Sequence, residues 1–310
     1  MSRDVIAVTG AGGYLGGRLA LHLARAGTPV RAIVRHARPW LDVEGIEQVI
    51  GEVDDLGDAA AVVHLAAPNE VAAGNDPGGS TADAIDAAYR VAAAAAAIGA
   101  NRVVLGSTVH VYGARMTDGA RLTEDLRCEP RHPYAVARLA AEHLMATTLA
   151  GTDTEFVALR VTNGVGAPAD PSVDRWTLLV NDLARSAAND GRLVLRTAGL
   201  QWRDFIAVAD VCRVASAACD PGLMPPGTYN VGSGVPRTVR DVADLVAAAV
   251  ERSTGTRPPV EAPAPTGPAP APYAVDVARL SDCHVLDEPV SLTDAVAETV
   301  DACLAARRAP

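Results

Sequence analysis

The sequence predicts an α/β chain: a doubly wound parallel sheet, with a smaller lobe drawn mostly from the C-terminal half. Three observations predict it. Short apolar runs alternate with helical patterns through residues 5–160. The runs are continuous rather than alternating, as strands are when helices cover both faces of a parallel sheet. After Asn163 that rhythm stops, so a different architecture must begin there.

The elements follow in order. Residues 5–9 form an apolar run closed by Gly10, and 14–26 have a helical pattern stopped by Gly27. Residues 30–34, 47–50 and 61–65 read as the second, third and fourth strands. An alanine-rich helix covers 81–98, ended by Gly99, and 102–105 form the fifth strand. A helix over 134–149 leads to a sixth strand at 155–160. Strand–helix alternation of this kind winds a sheet in both directions from its first strand. Beyond it, 176–188 and 240–252 read as helices and 193–196 as a short strand. Residues 257–272 are proline-rich, where neither helix nor ladder persists, so a surface excursion is expected.

Composition narrows the function. A chain of 310 residues is long for one hydrophobic core and suggests two lobes. Hydrophobic residues make up 49% but aromatics only 4%, so Ala, Val and Leu must build the interior. A net charge of −10 argues against nucleic acid, whose phosphates call for clustered Lys and Arg. The apolar run 91–98 is too short to span a membrane. Met1-Ser2-Arg3-Asp4 runs directly into a strand with no leader pattern, so a cytoplasmic protein is expected. The five cysteines are odd in number and lack metal-ligand spacing, which implies reduced thiols and no metal site.

The first chemistry-bearing motif is Thr9-Gly10-Ala11-Gly12-Gly13-Tyr14-Leu15-Gly16. It follows a strand and opens a helix. Gly10 permits a tight turn, Gly13 lets the backbone approach a pyrophosphate, and Gly16 lets helix and strand pack closely. The helix start then offers free N–H groups to the anion. Gly10, Gly12, Gly13, Tyr14, Leu15 and Gly16 are therefore expected to hold a dinucleotide. After the second strand comes Val34-Arg35-His36-Ala37-Arg38, with no acid until Asp42. An acid there binds ribose hydroxyls and a base accepts a 2′-phosphate. Arg35, His36 and Arg38 thus favour NADP(H), with Arg35 as the main contact. NAD(H) stands as the second cofactor, with the three bases then reduced to solvated charges.

Several further stretches complete a pattern: His64-Leu65-Ala66-Ala67, Ser107 to Gly113, Pro133-Tyr134, Arg160-Val161-Thr162-Asn163, Arg203-Asp204-Phe205-Ile206 and Tyr229-Asn230-Val231-Gly232. With the glycine turn, they resemble the extended short-chain dehydrogenase/reductases of the NAD-dependent epimerase/dehydratase family, the kind acting on nucleotide sugars. The resemblance spans nearly the whole chain in the family's order. It implies a Rossmann domain over 1–165 with return segments near 205–232. The substrate lobe would be 166–204 and 233–310. Leu65, Ala66 and Ala67 would flank the cofactor.

The resemblance also implies hydride transfer assisted by Tyr134. A free tyrosine has a pKa of about 10, and a neighbouring cation favours its phenolate. The family places a lysine four residues after the tyrosine; this chain has Arg138. Arginine keeps the charge and can donate to ribose hydroxyls, with a different fork geometry. Thr108 takes the family's Ser/Thr place, to donate to a substrate oxygen. His110 stands where the family's sugar dehydratases carry a glutamate, and Val109 where they carry the preceding Asp. Dehydration is therefore not expected. Two readings of His110 stand: a proton carrier or substrate ligand, and an ordinary structural histidine. Asn163 and Arg203 match residues on the substrate diphosphate. Trp176 would pack on the nucleotide base or sugar, or belong to the core. Asn69 would touch substrate or cap a loop.

Three functions follow: NADPH-dependent reduction of a 4-keto sugar nucleotide, nucleotide-sugar 4-epimerisation with retained cofactor, and a non-catalytic dinucleotide-binding regulator. The family's four-helix interface maps onto 81–98 and 134–149, which implies a homodimer.

Overall fold

The structure, a computed structural model, describes residues 4–308. Met1 to Arg3, on which the leaderless N-terminus was expected, lie outside the described residues, as do the last two positions of the C-terminal lobe.

The first half runs β1 (Ile6–Thr9), α1 (Tyr14–Arg25), β2 (Val30–Val34), β3 (Ile46–Ile50), β4 (Ala61–His64), α2 (Glu70–Asn75), α3 (Pro77–Ala97), β5 (Arg102–Thr108), β6 (Arg121–Leu122), α4 (Pro133–Leu149) and β7 (Glu155–Val161). The second half runs β8 (Asn163–Val165), α5 (Leu179–Asp190), β9 (Leu193–Val194), β10 (Trp202–Ala207), α6 (Val208–Ala218), β11 (Gly227–Val231), β12 (Pro236–Thr238), α7 (Val239–Thr254), β13 (Val260–Glu261), β14 (Ala274–Val275), α8 (Ala278–Ser281) and α9 (Leu292–Arg308).

Seven strands form one sheet in the order β11-β7-β5-β4-β1-β2-β3, with every neighbouring pair parallel. The winding reverses between β1 and β4. A ligand-binding crevice opens outside the strand C-termini at such a reversal. Both faces are sealed, which is why β4 reads Ala-Val-Val-His with every residue buried. One core cluster lies between the sheet and α1 with α6, and another between the sheet and α3 with α4. A separate cluster joins α5, α7 and α9. Three strands, β12, β10 and β8, make a small sheet of their own.

The structure adjusts several expectations. The alanine-rich helix begins at Pro77 because Asp76 caps it, its carboxylate accepting from Gly79 N at 3.0 Å, with proline at the first position. Helix α5 begins at Leu179, not at 176. Leu178 is extended (ψ 140°), and Asn181 Nδ2 donates to Arg175 O, so Trp176 lies in the turn before the helix. The proline-rich stretch is not free of ladder: Val260 pairs with Leu193 in a two-strand sheet. A seventh strand, β11, returns to the main sheet beside β7 within the segment expected to return.

Candidate active site

The glycine turn is built by contacts that exclude side chains. Gly10 has φ +72°, and Gly13 N donates to Gly10 O at 2.9 Å. A Cβ on Gly16 would lie 2.2 Å from Gly10 O, and one on Gly10 would lie 2.8 Å from Ala66 N. The turn is thus pressed between α1 and the end of β4. Helix α1 starts without a side-chain cap, which leaves its first N–H groups for an anion. Tyr14 turns its hydroxyl away from the turn to donate to Gly166 O at 2.6 Å, tying α1 to the segment after β8. Leu15 is half-buried beside it.

The base nearest the turn is Arg38, not Arg35. A Cβ on Gly12 would meet Arg38 Nε at 3.0 Å. That nitrogen is buried and has no hydrogen-bond partner. Arg35 and His36 stand exposed past the end of β2. Gln48 holds the Arg38 backbone, its Oε1 accepting from Arg38 N at 2.8 Å.

At the end of β4, Leu65, Ala66 and Ala67 are half-buried. Thr9 organises them: Leu65 N donates to Thr9 O and Ala66 N to Thr9 Oγ1. His64 is sealed behind them, with Nδ1 2.8 Å from Thr9 Oγ1. Burial pushes its imidazole pKa down to about 3, and the Arg138 charge adds to that.

Thr108 ends β5, 5% exposed, and its Oγ1 accepts from His110 N. Tyr134 and Arg138 share one face of α4, with the Arg138 Cζ 5.6 Å from the Tyr134 ring centre. Arg138 is 7% exposed and its Nε has no partner. A buried guanidinium with an idle donor is costly unless a ligand completes it. That idle donor and the glycine cradle both fit a nicotinamide dinucleotide.

The other half of the crevice comes from β8 and β10. Asn163 Nδ2 donates to Asp204 O at 2.7 Å, and Arg203 donates to Asn163 Oδ1 at 3.4 Å. The two residues matched to a diphosphate therefore do meet. His110 is at the rim. Dehydration holds its imidazole below the usual range, Arg203 lowers it further, and Glu70 opposes both. Asn69 caps α2, accepting from Val71 N and Ala72 N. Trp176 packs at the edge of the α5–α7–α9 cluster with Arg185 over its ring at 5.7 Å. Arg175, in the same stretch as Trp176, grips both Glu70 oxygens at 3.1–3.2 Å, a pairing the sequence did not reveal. Sequence distance hid that pair; Glu70 beside Asn69 was its one visible sign.

Comparison with known proteins decides the family. The model of the "NAD dependent epimerase/dehydratase family" matches residues 6–232. The chain belongs to that family. It is an extended short-chain dehydrogenase/reductase, and its relatives include nucleotide-sugar reductases, epimerases and dehydratases. One relative is GDP-6-deoxy-D-mannose reductase of Pseudomonas aeruginosa, 28% identical over 249 residues, 77% of this chain and 78% of that protein. Another, 2-alkyl-3-oxoalkanoate reductase of Stenotrophomonas maltophilia, is 30% identical over 79% of this chain and 75% of its own. The structure of MoeE5 in complex with UDP-glucose and NAD superposes with a TM-score of 0.77 at 25% identity, covering 96% of this chain and 97% of that one. Among the described residues of this epimerase/dehydratase family member, no helix is long and apolar enough to cross a membrane.

Proposed function

We propose that this family member reduces a 4-keto sugar nucleotide with NADPH. The observation that carries the reading is Arg38, a base lying over Gly12 with an unpartnered buried nitrogen. A guanidinium there suits a 2′-phosphate, because charge-assisted bonds to phosphate are short and strong. Arg35 adds positive potential at the same edge, where His36 is a further polar group. The glycine turn, Leu65, Ala66, Ala67 and Arg138 would hold a nicotinamide cofactor, which would supply the hydride.

The chain's own groups do the rest. Thr108 and Tyr134 donate to the keto oxygen, and Tyr134 delivers the proton. Arg138 stabilises the phenolate left on Tyr134 and offers its idle donor to the ribose. Asn163 and Arg203 hold the diphosphate, with Trp176 and Asn69 at the sugar or base end. His110, held neutral at the rim, is a substrate ligand. Residues 1–165 with the return segments near 205–232 form the cofactor domain in this reading, and 166–204 with 233–310 form the substrate lobe. The protein pairs through α3 and α4, where Tyr89 and Val136 are exposed.

NADPH oxidation at 340 nm with GDP- and dTDP-linked 4-keto-6-deoxyhexoses tests the reading. Turnover with NADPH that disappears in Tyr134→Phe supports it. Tightly retained NAD with interconversion of UDP-hexoses overturns it in favour of the 4-epimerase. Turnover only with a 2-alkyl-3-oxoalkanoate overturns the substrate class. Binding of dinucleotide with no turnover at all points to a regulator.

A further inference from the structure

Behind α4 lies a buried polar network that the proposed chemistry leaves unused. Glu142 and Arg160 are each 6% exposed. Arg160 donates through Nε and an Nη to both Glu142 oxygens, at 2.8–3.2 Å. Ser107 donates its hydroxyl to Glu142 Oε1. The other Arg160 Nη donates to Tyr112 Oη and Glu124 O, both at 3.1 Å. Tyr112 in turn donates to Asn230 Oδ1 at 2.7 Å on β11. Two strand side chains, Ser107 and Arg160, thus meet on one helix carboxylate, and Tyr112 and Asn230 extend the network from Arg160.

Position gives the network its meaning. Tyr134, Arg138 and Glu142 are spaced by four, so they share one face of α4. Ser107 directly precedes Thr108 on β5. A helix is stiff along its axis, so fixing the carboxylate at 142 fixes rotation and sliding of Arg138 and Tyr134, about 6 and 12 Å ahead of it. A buried ion pair is weak grounds for stability, since apolar replacements often serve as well. A bidentate, fully bonded carboxylate does define one geometry.

We propose that Glu142 is a positioning residue: gripped by Ser107 and Arg160, it sets the register of α4 and so places Tyr134 and Arg138 against Thr108. This rests on the reading of those three residues as the reacting site.

The test uses Ser107→Ala and Glu142→Gln in the full chain. Ser107→Ala removes one hydroxyl and leaves the ion pair intact, so it remains informative if Glu142→Gln does not fold. The first readout needs no substrate. In fluorescence titration with the dinucleotide, we expect the Kd to rise about threefold or more as Arg138 loses its placement. With the keto-sugar nucleotides above, kcat falls about tenfold while KM stays within about twofold. The melting midpoint of Ser107→Ala falls by only about 2–4 °C. A folded Ser107→Ala with wild-type dinucleotide affinity and kcat overturns the proposal. So does an activity loss with an unmoved dinucleotide affinity, which marks the network as merely structural. Full activity in Tyr134→Phe would instead sink the reading of the site, and the dinucleotide affinity would still report the placement of α4.

Discussion

The Arg138 guanidinium carbon lies 5.6 Å from the centre of the Tyr134 ring, one turn further along the same helix. The cation faces the ring, and no carboxylate pairs with it among the described ion pairs. Tyr134→Phe should lower kcat by about 10²–10⁴ while dinucleotide binding persists. Arg138→Ala should lower kcat by about 10² and also weaken dinucleotide binding, because it removes both the charge and the idle donor. Arg138→Lys should recover most of that loss. Steady-state turnover and fluorescence titration separate the two effects. Equal kcat in Arg138→Ala and the parent would remove Arg138 from the chemistry.

Arg38 and Arg35 make opposite predictions. Arg38 lies over Gly12, whereas Arg35 is exposed. Arg38→Ala should raise the Kd for NADPH by about 10–100-fold, the equivalent of losing about 1.5–3 kcal/mol of charge-assisted bonding. NADH affinity should change by no more than about twofold. Arg35→Ala should leave both cofactors nearly unchanged beyond a modest salt-dependent effect. Equal losses for both cofactors in Arg38→Ala would mean that Arg38 only shapes the turn.

Legibility in the sequence followed the range of the interactions. Glycine spacing exposed the turn because Gly10, Gly13 and Gly16 lie within seven residues and each meets a local steric demand. The strands were visible because double-sided burial leaves unbroken apolar runs such as Val62-Val63. Asp76-Pro77 was an available start signal for α3 that the apolar pattern alone overlooked. That Arg38 rather than Arg35 lies over Gly12 was not legible, because chain order says nothing about which way a loop folds back. The Glu142–Arg160 and Glu70–Arg175 pairs were illegible for the same reason: 18 and 105 residues separate the partners, and only the tertiary fold joins them. Asn163 and Arg203 were legible as motifs, yet the contact between them needs β8 and β10 to pair.

The Glu70–Arg175 pair should tune His110 more than it stabilises the fold. Glu70 is partly open to water, with 38% of its side chain accessible, and such pairs contribute about 0–1 kcal/mol. Glu70→Gln should therefore leave the melting midpoint nearly unchanged. Its negative charge is what raises the His110 imidazole against dehydration and Arg203. Removing it should move the His110 titration, followed by imidazole proton NMR, to lower pH. An unmoved His110 titration would place Glu70 too far away to matter.

His64 makes the protein acid-sensitive. Its ring is 1% exposed, bonded to Thr9, and shares its surroundings with Arg138. Folding depresses its pKa from 6.5 to about 3. Between those values the unfolded chain binds a proton that the folded chain refuses, so protonation favours unfolding. The neutral ring costs nothing above pH 6.5, and stability is lost as pH falls through the window to about 3. The loss approaches about 1.4 kcal/mol per pH unit where only the unfolded state is protonated. His64→Gln keeps a polar partner for Thr9 and has no proton to gain. Urea unfolding at pH 7, 6, 5 and 4 should therefore show the variant's stability falling less steeply than the parent's, with carboxylate contributions common to both. Parallel curves would mean that His64 accepts a proton in the folded state, and that the wall behind Leu65 and Ala66 is open to water.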